Sequence, residues 1–209
     1  MPVIKNNQAY PDWCEVRKHE KIKITQETPH NVKTGNTKKA AVVLYGNCEI
    51  CFRNEVKKLS ERESILTSED EFSIKAVDSN GCEIVLIWGH WGEKIGGIGV
   101  FVVDKHDNPF NWGTKTDFFR NTVFDNHYHD CDEYWIIVEG SGVVYSENKK
   151  YEVEPGDCII TGMGHHHDFS VIYSHVYAVY FETTLGGEMR GGHLWEHSHG
   201  KAAPVAERI

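Results

Sequence analysis

Short apolar runs recur from residue 40 onward: AVVLY, CEICF, ESILT, FSIKAV, CEIVLIW, IGVFVV, then EYWIIV, GVVYS, KYEV, DCIIT and HVYAVYF. They are rich in β-branched and aromatic residues and are separated by Gly, Asn, Asp, Ser and Pro. That pattern predicts an all-β, antiparallel sandwich or barrel. No amphipathic helix of convincing length interrupts it. In EVKKLSERES only Val56 and Leu59 supply an apolar stripe, so a polar hairpin is at least as good a reading as a helix.

Sliding the chain by 94 residues superposes two halves without a gap. Val42, Val43 and Leu44 fall on Ile136, Ile137 and Val138, and Gly46 falls on Gly140. Ile50 meets Val144, Leu59 meets Val153, Ile65–Thr67 meets Ile159–Thr161, Val85 meets Val179 and Ile87 meets Phe181. A shared apolar alternation with a shared turn glycine predicts an internal duplication. The divisions expected from it are an N-terminal arm (1–32), a first half (33–103), a connector rich in Asn, Asp, Pro and Gly (104–120), a second half (121–184) and a C-terminal tail (185–209).

Composition narrows the partners. The chain has 209 residues, 40% hydrophobic and 25% charged, which fits an ordered globular protein. With 22 basic and 31 acidic residues its net charge is −9, a field that repels phosphate backbones and anionic lipid, so neither nucleic acid nor membrane is an expected partner. No run approaches the roughly 18 to 20 apolar residues of a membrane helix, and the N-terminus lacks a signal-peptide stretch, so a cytoplasmic location is expected. The six cysteines are then reduced thiols. Cys48 and Cys51 form a CxxC without the second pair that a zinc site needs, and read as buried strand residues.

The chemistry concentrates in His127-Tyr-His129-Asp-Cys-Asp-Glu133, then Gly140, and later Pro155-Gly156-Asp157 with His165-His166-His167. Residues i and i+2 of a strand point the same way, with Cα atoms about 6.6 Å apart, so His127 and His129 converge on one ion. Glu133 would lie about 13 Å beyond His129 on a straight strand, so it joins only if Asp130, Cys131 and Asp132 turn the chain. Pro155-Gly156 suits a tight turn, after which Asp157–Thr161 runs back as a buried strand and delivers a third imidazole. Spacing favours His167, with His165 in reserve. Three neutral imidazoles and a carboxylate suit iron, manganese, nickel, copper or zinc, one divalent transition metal, and not calcium or magnesium.

These residues resemble the cupin superfamily, whose first motif reads HxHxxxE followed by a glycine and whose second reads PGDxxxxPxGxxH. His127, His129, Glu133 and Gly140 fit the first; Gly156, Asp157, Gly164 and His167 fit the second, where Gly162 replaces a proline and alters loop stiffness without touching a ligand. The resemblance implies a cupin-type β-barrel (double-stranded β-helix) around the ion, and the repeat extends it to a bicupin. The shift of 94 places Lys33, Gly35, Lys39 and Ser73 at the ligand positions of the first half, none of them a ligand type for such a site.

What the resemblance implies for activity is a metal-dependent enzyme acting on a small-molecule substrate. Isomerase, epimerase or lyase chemistry on a sugar or hydroxy-carbonyl compound stands first, with an iron-dependent dioxygenase and a non-catalytic binding protein as alternatives. Tyr145 and Glu182 are the candidate catalytic groups, with His175 and Tyr180 as further candidates at the barrel mouth. Cys131 reads as an incidental thiol and Trp135 as core. The run His193-Leu-Trp-Glu-His197-Ser-His199 reads as a lid, an interface or a polar tail before it reads as a second metal site. Arg120, Lys149 and Lys150 are the basic residues nearest the motifs, too few for a phosphate clamp. Open barrel edges favour self-association into a homodimer.

Overall fold

The computed structural model describes residues 2–5, 8–33, 35–109 and 112–209. The apolar runs become the strands β1 (Val3–Ile4), β2 (Val16–Ile24), β3 (His30–Lys33), β4 (Lys38–Tyr45), β5 (Cys48–Cys51), β6 (Val56–Leu59), β7 (Ser64–Thr67), β8 (Glu71–Ala76) and β9 (Cys82–Gly89). There follow β10 (Ile95–Val103), β11 (Glu133–Glu139), β12 (Gly142–Ser146), β13 (Lys149–Val153), β14 (Cys158–Thr161), β15 (His167–Ile172) and β16 (Val176–Thr184). Among the described residues the only helix is one turn, Glu196–His199, too short to cross a membrane. The EVKKLSERES stretch is strand and turn and not helix, but it is not the expected hairpin: β6 pairs with β5 and β7 with β4, so the turn between them carries the chain from one sheet to the other.

The chain divides into two units, Tyr10–Trp91 and Met1–Ala9 with Gly92–Ile209. The first holds the sheets β2-β9-β4-β7 and β3-β8-β5-β6; the second holds β1-β14-β11-β16-β10 and β13-β12-β15. All named pairings are antiparallel. Each unit closes around its own apolar core. Ala41, Val43, Ile50, Phe72, Ile74, Ile84 and Leu86 fill the first, and Trp135, Ile137, Val144, Ile159, Phe169 and Ala178 fill the second.

The strand order within each unit repeats at the spacing read from the sequence. β7 and β14 start at Ser64 and Cys158, and the pairs β4/β11, β5/β12, β6/β13, β8/β15 and β9/β16 follow with ends differing by a few residues at most. A bulge between Val43 and Tyr45 against β9 has its counterpart between Ile137 and Glu139 against β16. Gly46 and Gly140 both follow that bulge with positive φ, +75° and +80°.

The unit boundaries differ from those expected. The stretch read as an arm supplies β2 and β3 to the first unit and β1 to the second. β10, read as the last strand of the first half, pairs along its length with β16. Alternation within a strand states which face is apolar but carries no information about the partner strand, and the partner decides the unit.

A methyl group on Gly140 would lie 1.9 Å from the His175 carbonyl oxygen, in a left-handed backbone conformation. We expect Gly140→Ala to cost about 3 kcal/mol in urea unfolding, from the conformation and the clash together. Gly35→Ala, where a Cβ meets nothing within 4 Å, should stay within about 0.5 kcal/mol of the parent.

Candidate metal centre

His127 and His167 face each other in a short antiparallel bridge closed by His127 N–H to the His167 carbonyl (3.1 Å) and His167 N–H to the His127 carbonyl (2.9 Å). Beyond His129 the chain bends at Asp130 and Cys131 and enters β11 at Glu133. The bend supplies the turn that Glu133 requires, and residues far along the chain hold it. Arg190 grips Asp130 through Nε (2.8 Å) and Nη2 (2.9 Å); Arg208 donates to both Asp132 oxygens (2.9 and 3.1 Å), and the Met163 N–H to one of them (2.8 Å). The forked Arg190–Asp130 pair fixes orientation as well as position.

The result is a closed cluster. His127, His129, Glu133 and His167 are 0 to 4% exposed, and one donor atom from each lies within 4.8 Å of all the others. The Nδ1 atoms are turned outward: His127 Nδ1 lies 2.9 Å from the Asp125 carbonyl, His129 Nδ1 3.0 Å from that of Gly192, and His167 Nδ1 3.1 Å from that of His165. A carbonyl only accepts, so each ring carries its hydrogen on Nδ1 and turns the Nε2 lone pair inward. His127 Nε2 and His129 Nε2 are buried with no hydrogen-bond partner, while His167 Nε2 sits 2.6 Å and His129 Nε2 3.4 Å from Glu133 Oε2. Lone pairs gathered on one point without donors suit a cation, and a divalent transition metal fits this donor set.

The electrostatics agree. Burial pushes the His127 and His167 imidazoles below their usual range, keeping them neutral and able to ligate. At His129 burial works in the same direction, but the neighbouring Glu133 and then Glu182 outweigh it and lift the ring. Burial works against the Glu133 carboxylate, yet His129 and His167 hold it well below the usual carboxyl range, so it remains a charged ligand.

Glu182 is directly opposite Glu133 in the β11–β16 register and therefore points into the same interior, its Oε1 3.9 Å from His129 Nδ1. Burial raises its carboxyl, His129 opposes this and Glu133 adds to it. Tyr180 projects inward one inward-facing position further along β16, opposite Trp135, and burial followed by Glu182 and Glu133 raises its hydroxyl. Gly97 and Gly99 face Glu182 and Tyr180 from β10, and the Tyr180 ring packs over both glycines, 3.0 Å from where a Cβ on Gly99 would stand.

Tyr145 is not brought to the cluster. Val144 belongs to the core, so strand parity turns Tyr145 to the outer face, where it lies across from Asp168 and stacks on Phe118 at 4.0 Å. His175 is exposed and paired with Asp104. His165 turns its Nε2 to the Val205 carbonyl, which leaves His167 as the third imidazole. Cys131 sits beside His129 and Glu182, but burial and the surrounding carboxylates push its thiol upward and keep it protonated. Trp135 is core, against Phe101, Phe124, Phe169 and the His167 ring.

The C-terminal stretch does more than trail. Leu194 pairs with Tyr128, Gly192 orients His129, and the His193 ring stacks on that of His127 at 3.6 Å. Asp125 accepts from His193 Nδ1 (2.8 Å) and Trp195 Nε1 (2.5 Å). His197 stacks on Trp195, and His199 Nδ1 accepts the Trp195 N–H. Sequence reasoning missed Asp125, Gly192, Arg190 and Arg208; the only trace of them was the acidic pair Asp130 and Asp132 inside the motif with two arginines far downstream.

The sequence profile of the cupin domain matches residues 120–181, the stretch that contributes all four donors. The chain belongs to the cupin superfamily. An uncharacterized protein of Sinorhizobium fredii, y4oW, is 38% identical to this cupin over 210 residues, covering 100% of this chain and 97% of that one. The fold is similar to that of YhaK from Escherichia coli (TM-score 0.59, 10% identity, 88% of this chain and 93% of the other). It is also similar to the oxalate decarboxylase of Bacillus subtilis, a protein with Mn(II) centres (TM-score 0.55, 7% identity, 87% and 71%).

Proposed function

We propose that this cupin is a metal-dependent enzyme that moves a proton beside the carbonyl of a small sugar or hydroxy-carbonyl compound, as an isomerase, epimerase or lyase. The observation that carries the reading is the position of Glu182, a buried carboxyl directly opposite Glu133 in the β11–β16 register and 3.9 Å from His129, yet outside the set of four donors. A divalent transition metal on those donors supplies Lewis acidity that polarises a carbonyl and acidifies the adjacent C–H. Glu182 takes that proton on a carboxylate oxygen and returns it to the neighbouring carbon or oxygen; its raised affinity for the proton suits both halves of the exchange.

The charge inside the barrel favours an uncharged substrate. Arg120 is spent on Asp168, Arg190 on Asp130 and Arg208 on Asp132, so among the described ion pairs none brings a guanidinium to the cluster. We further infer that the two units are repeats of one cupin barrel, of which the second keeps the ligands.

The test is metal analysis followed by incubation of the loaded protein in heavy water with a panel of aldoses, ketoses and α-hydroxy-carbonyl compounds, with oxygen uptake recorded alongside. Deuterium entering the carbon next to the carbonyl, without oxygen consumption, is the expected result. Oxygen uptake by the iron(II) form would replace this reading with a dioxygenase, and ligand binding with neither change would replace it with a binding protein.

A further inference from the structure

We propose that the first barrel, Tyr10–Trp91, carries a separate binding site for a small organic anion, a carboxylate on a compact apolar body. An open groove of about 700 Å³ lies on this unit, lined by Arg17, Lys18, His30, Val32, Lys33 and Trp88 among others. Its place in the barrel matches that of the metal cluster in the other: Trp88 is directly opposite Lys39 on β9 and β4, as Glu182 is opposite Glu133 on β16 and β11. Where the second barrel gathers carboxylates and imidazoles for a cation, the first presents cations.

The charge distribution of the chain favours this groove as the place for an anion. Tyr10–Trp91 contains 12 Lys and Arg against 13 Asp and Glu, a net of −1, whereas the remaining residues hold 10 against 18, a net of −8. Three of the 12 line the groove, and the one acid that lines it is Glu20. Arg17 is held by neutral groups, donating to the carbonyls of Pro11 (3.3 Å) and Asp12 (2.9 Å), so its charge is not cancelled and further donors are left on its fork. Lys33 meets Glu71 at 3.4 Å and Lys18 meets Glu20 at 3.0 Å, all four side chains exposed, where such pairs are weak and exchange readily. Opposite Trp88 in the register, Lys39 is 1% exposed and its Nζ donates to the Glu69 carbonyl (2.8 Å), a neutral acceptor that leaves its charge uncancelled. Trp88 and Val32 supply the apolar part of the wall, the indole already covered on one side by the Lys18 ammonium at 4.6 Å.

A carboxylate would dock on Arg17 and Lys33 with its apolar body toward Val32 and Trp88. The probe is benzoate, titrated calorimetrically into the metal-loaded full-length protein, with benzyl alcohol as its neutral counterpart. Benzoate should bind at least about tenfold more tightly than benzyl alcohol, since a charge-assisted hydrogen bond accounts for that much. Arg17→Gln and Lys33→Gln, both on the surface and harmless to folding, should each weaken benzoate binding about tenfold, while Lys58→Gln on the exposed strand β6 leaves it unchanged. His129→Ala should also leave it unchanged, which separates this site from the metal centre. No benzoate heat, equal weakening in all three Gln variants, parity with benzyl alcohol, or loss of binding in His129→Ala would each overturn the proposal.

Discussion

His129→Ala should purify with only a small fraction of the roughly one ion per chain expected of the parent, and its metal affinity should fall by more than about a hundredfold. Loss of an outer hydrogen-bonding partner of a metal ligand costs 10- to 100-fold, and removal of the ligand itself exceeds that. His129 is central to the cluster: its Nε2 has no partner of its own, it lies 3.4 Å from Glu133, and Gly192 has already fixed its tautomer. The alanine variant should also lose metal-linked stability. A ligand at about a thousand times its Kd stabilises the parent by about 4 kcal/mol, a rise in melting temperature that the variant should not show. Lys33→Ala, at the matching position of the first half, should bind metal like the parent. Elemental analysis of the two purified variants decides the matter, and equal loss from both would move the ion out of the second barrel.

Glu182→Gln should retain the metal and lose turnover by about 10² to 10⁴, the usual contribution of a positioned acid–base group. Gln keeps the volume of the side chain against Gly96, where an added Cβ would come within 2.7 Å of Glu182 Cβ, so repacking does not confuse the result. Deuterium exchange into the substrate should fall in parallel with turnover, because the amide cannot carry the proton. Should the variant instead lose metal to the extent of His129→Ala, Glu182 would be a ligand and the proton would have to be carried by another group, with Tyr180 the next candidate in the same interior.

The four-residue cluster was legible because most of its determinants are local. His127 and His129 are two residues apart, which in extended chain means one face; Asp130, Cys131 and Asp132 announce a bend; Gly156 and Asp157 announce the turn that returns the chain to His167. The repeat was legible for a related reason, since alternation with period two and a glycine forced into positive φ leave marks at fixed spacing. Tyr145 shows the limit. It carries the right chemistry and lies on a barrel strand, but its neighbours Val144 and Ser146 took the inward positions, and only the register of β12 against β15 reveals that. Tyr180, passed over for the catalytic pair, faces inward opposite Trp135.

By itself, then, the sequence determined the strand-forming runs, the place of the turns, the repeat and the four donors, because each follows from contacts between residues a few positions apart or from the conformational demands of a single glycine. The tertiary structure decided which strand β10 joins, which candidate tyrosine shares the interior with the cluster, and how Gly192, Arg190 and Arg208 orient and brace the residues of the cluster. Those outcomes depend on groups about 45 to 90 residues apart meeting in space, and no local pattern records which of many distant partners a backbone edge or a charged side chain will meet.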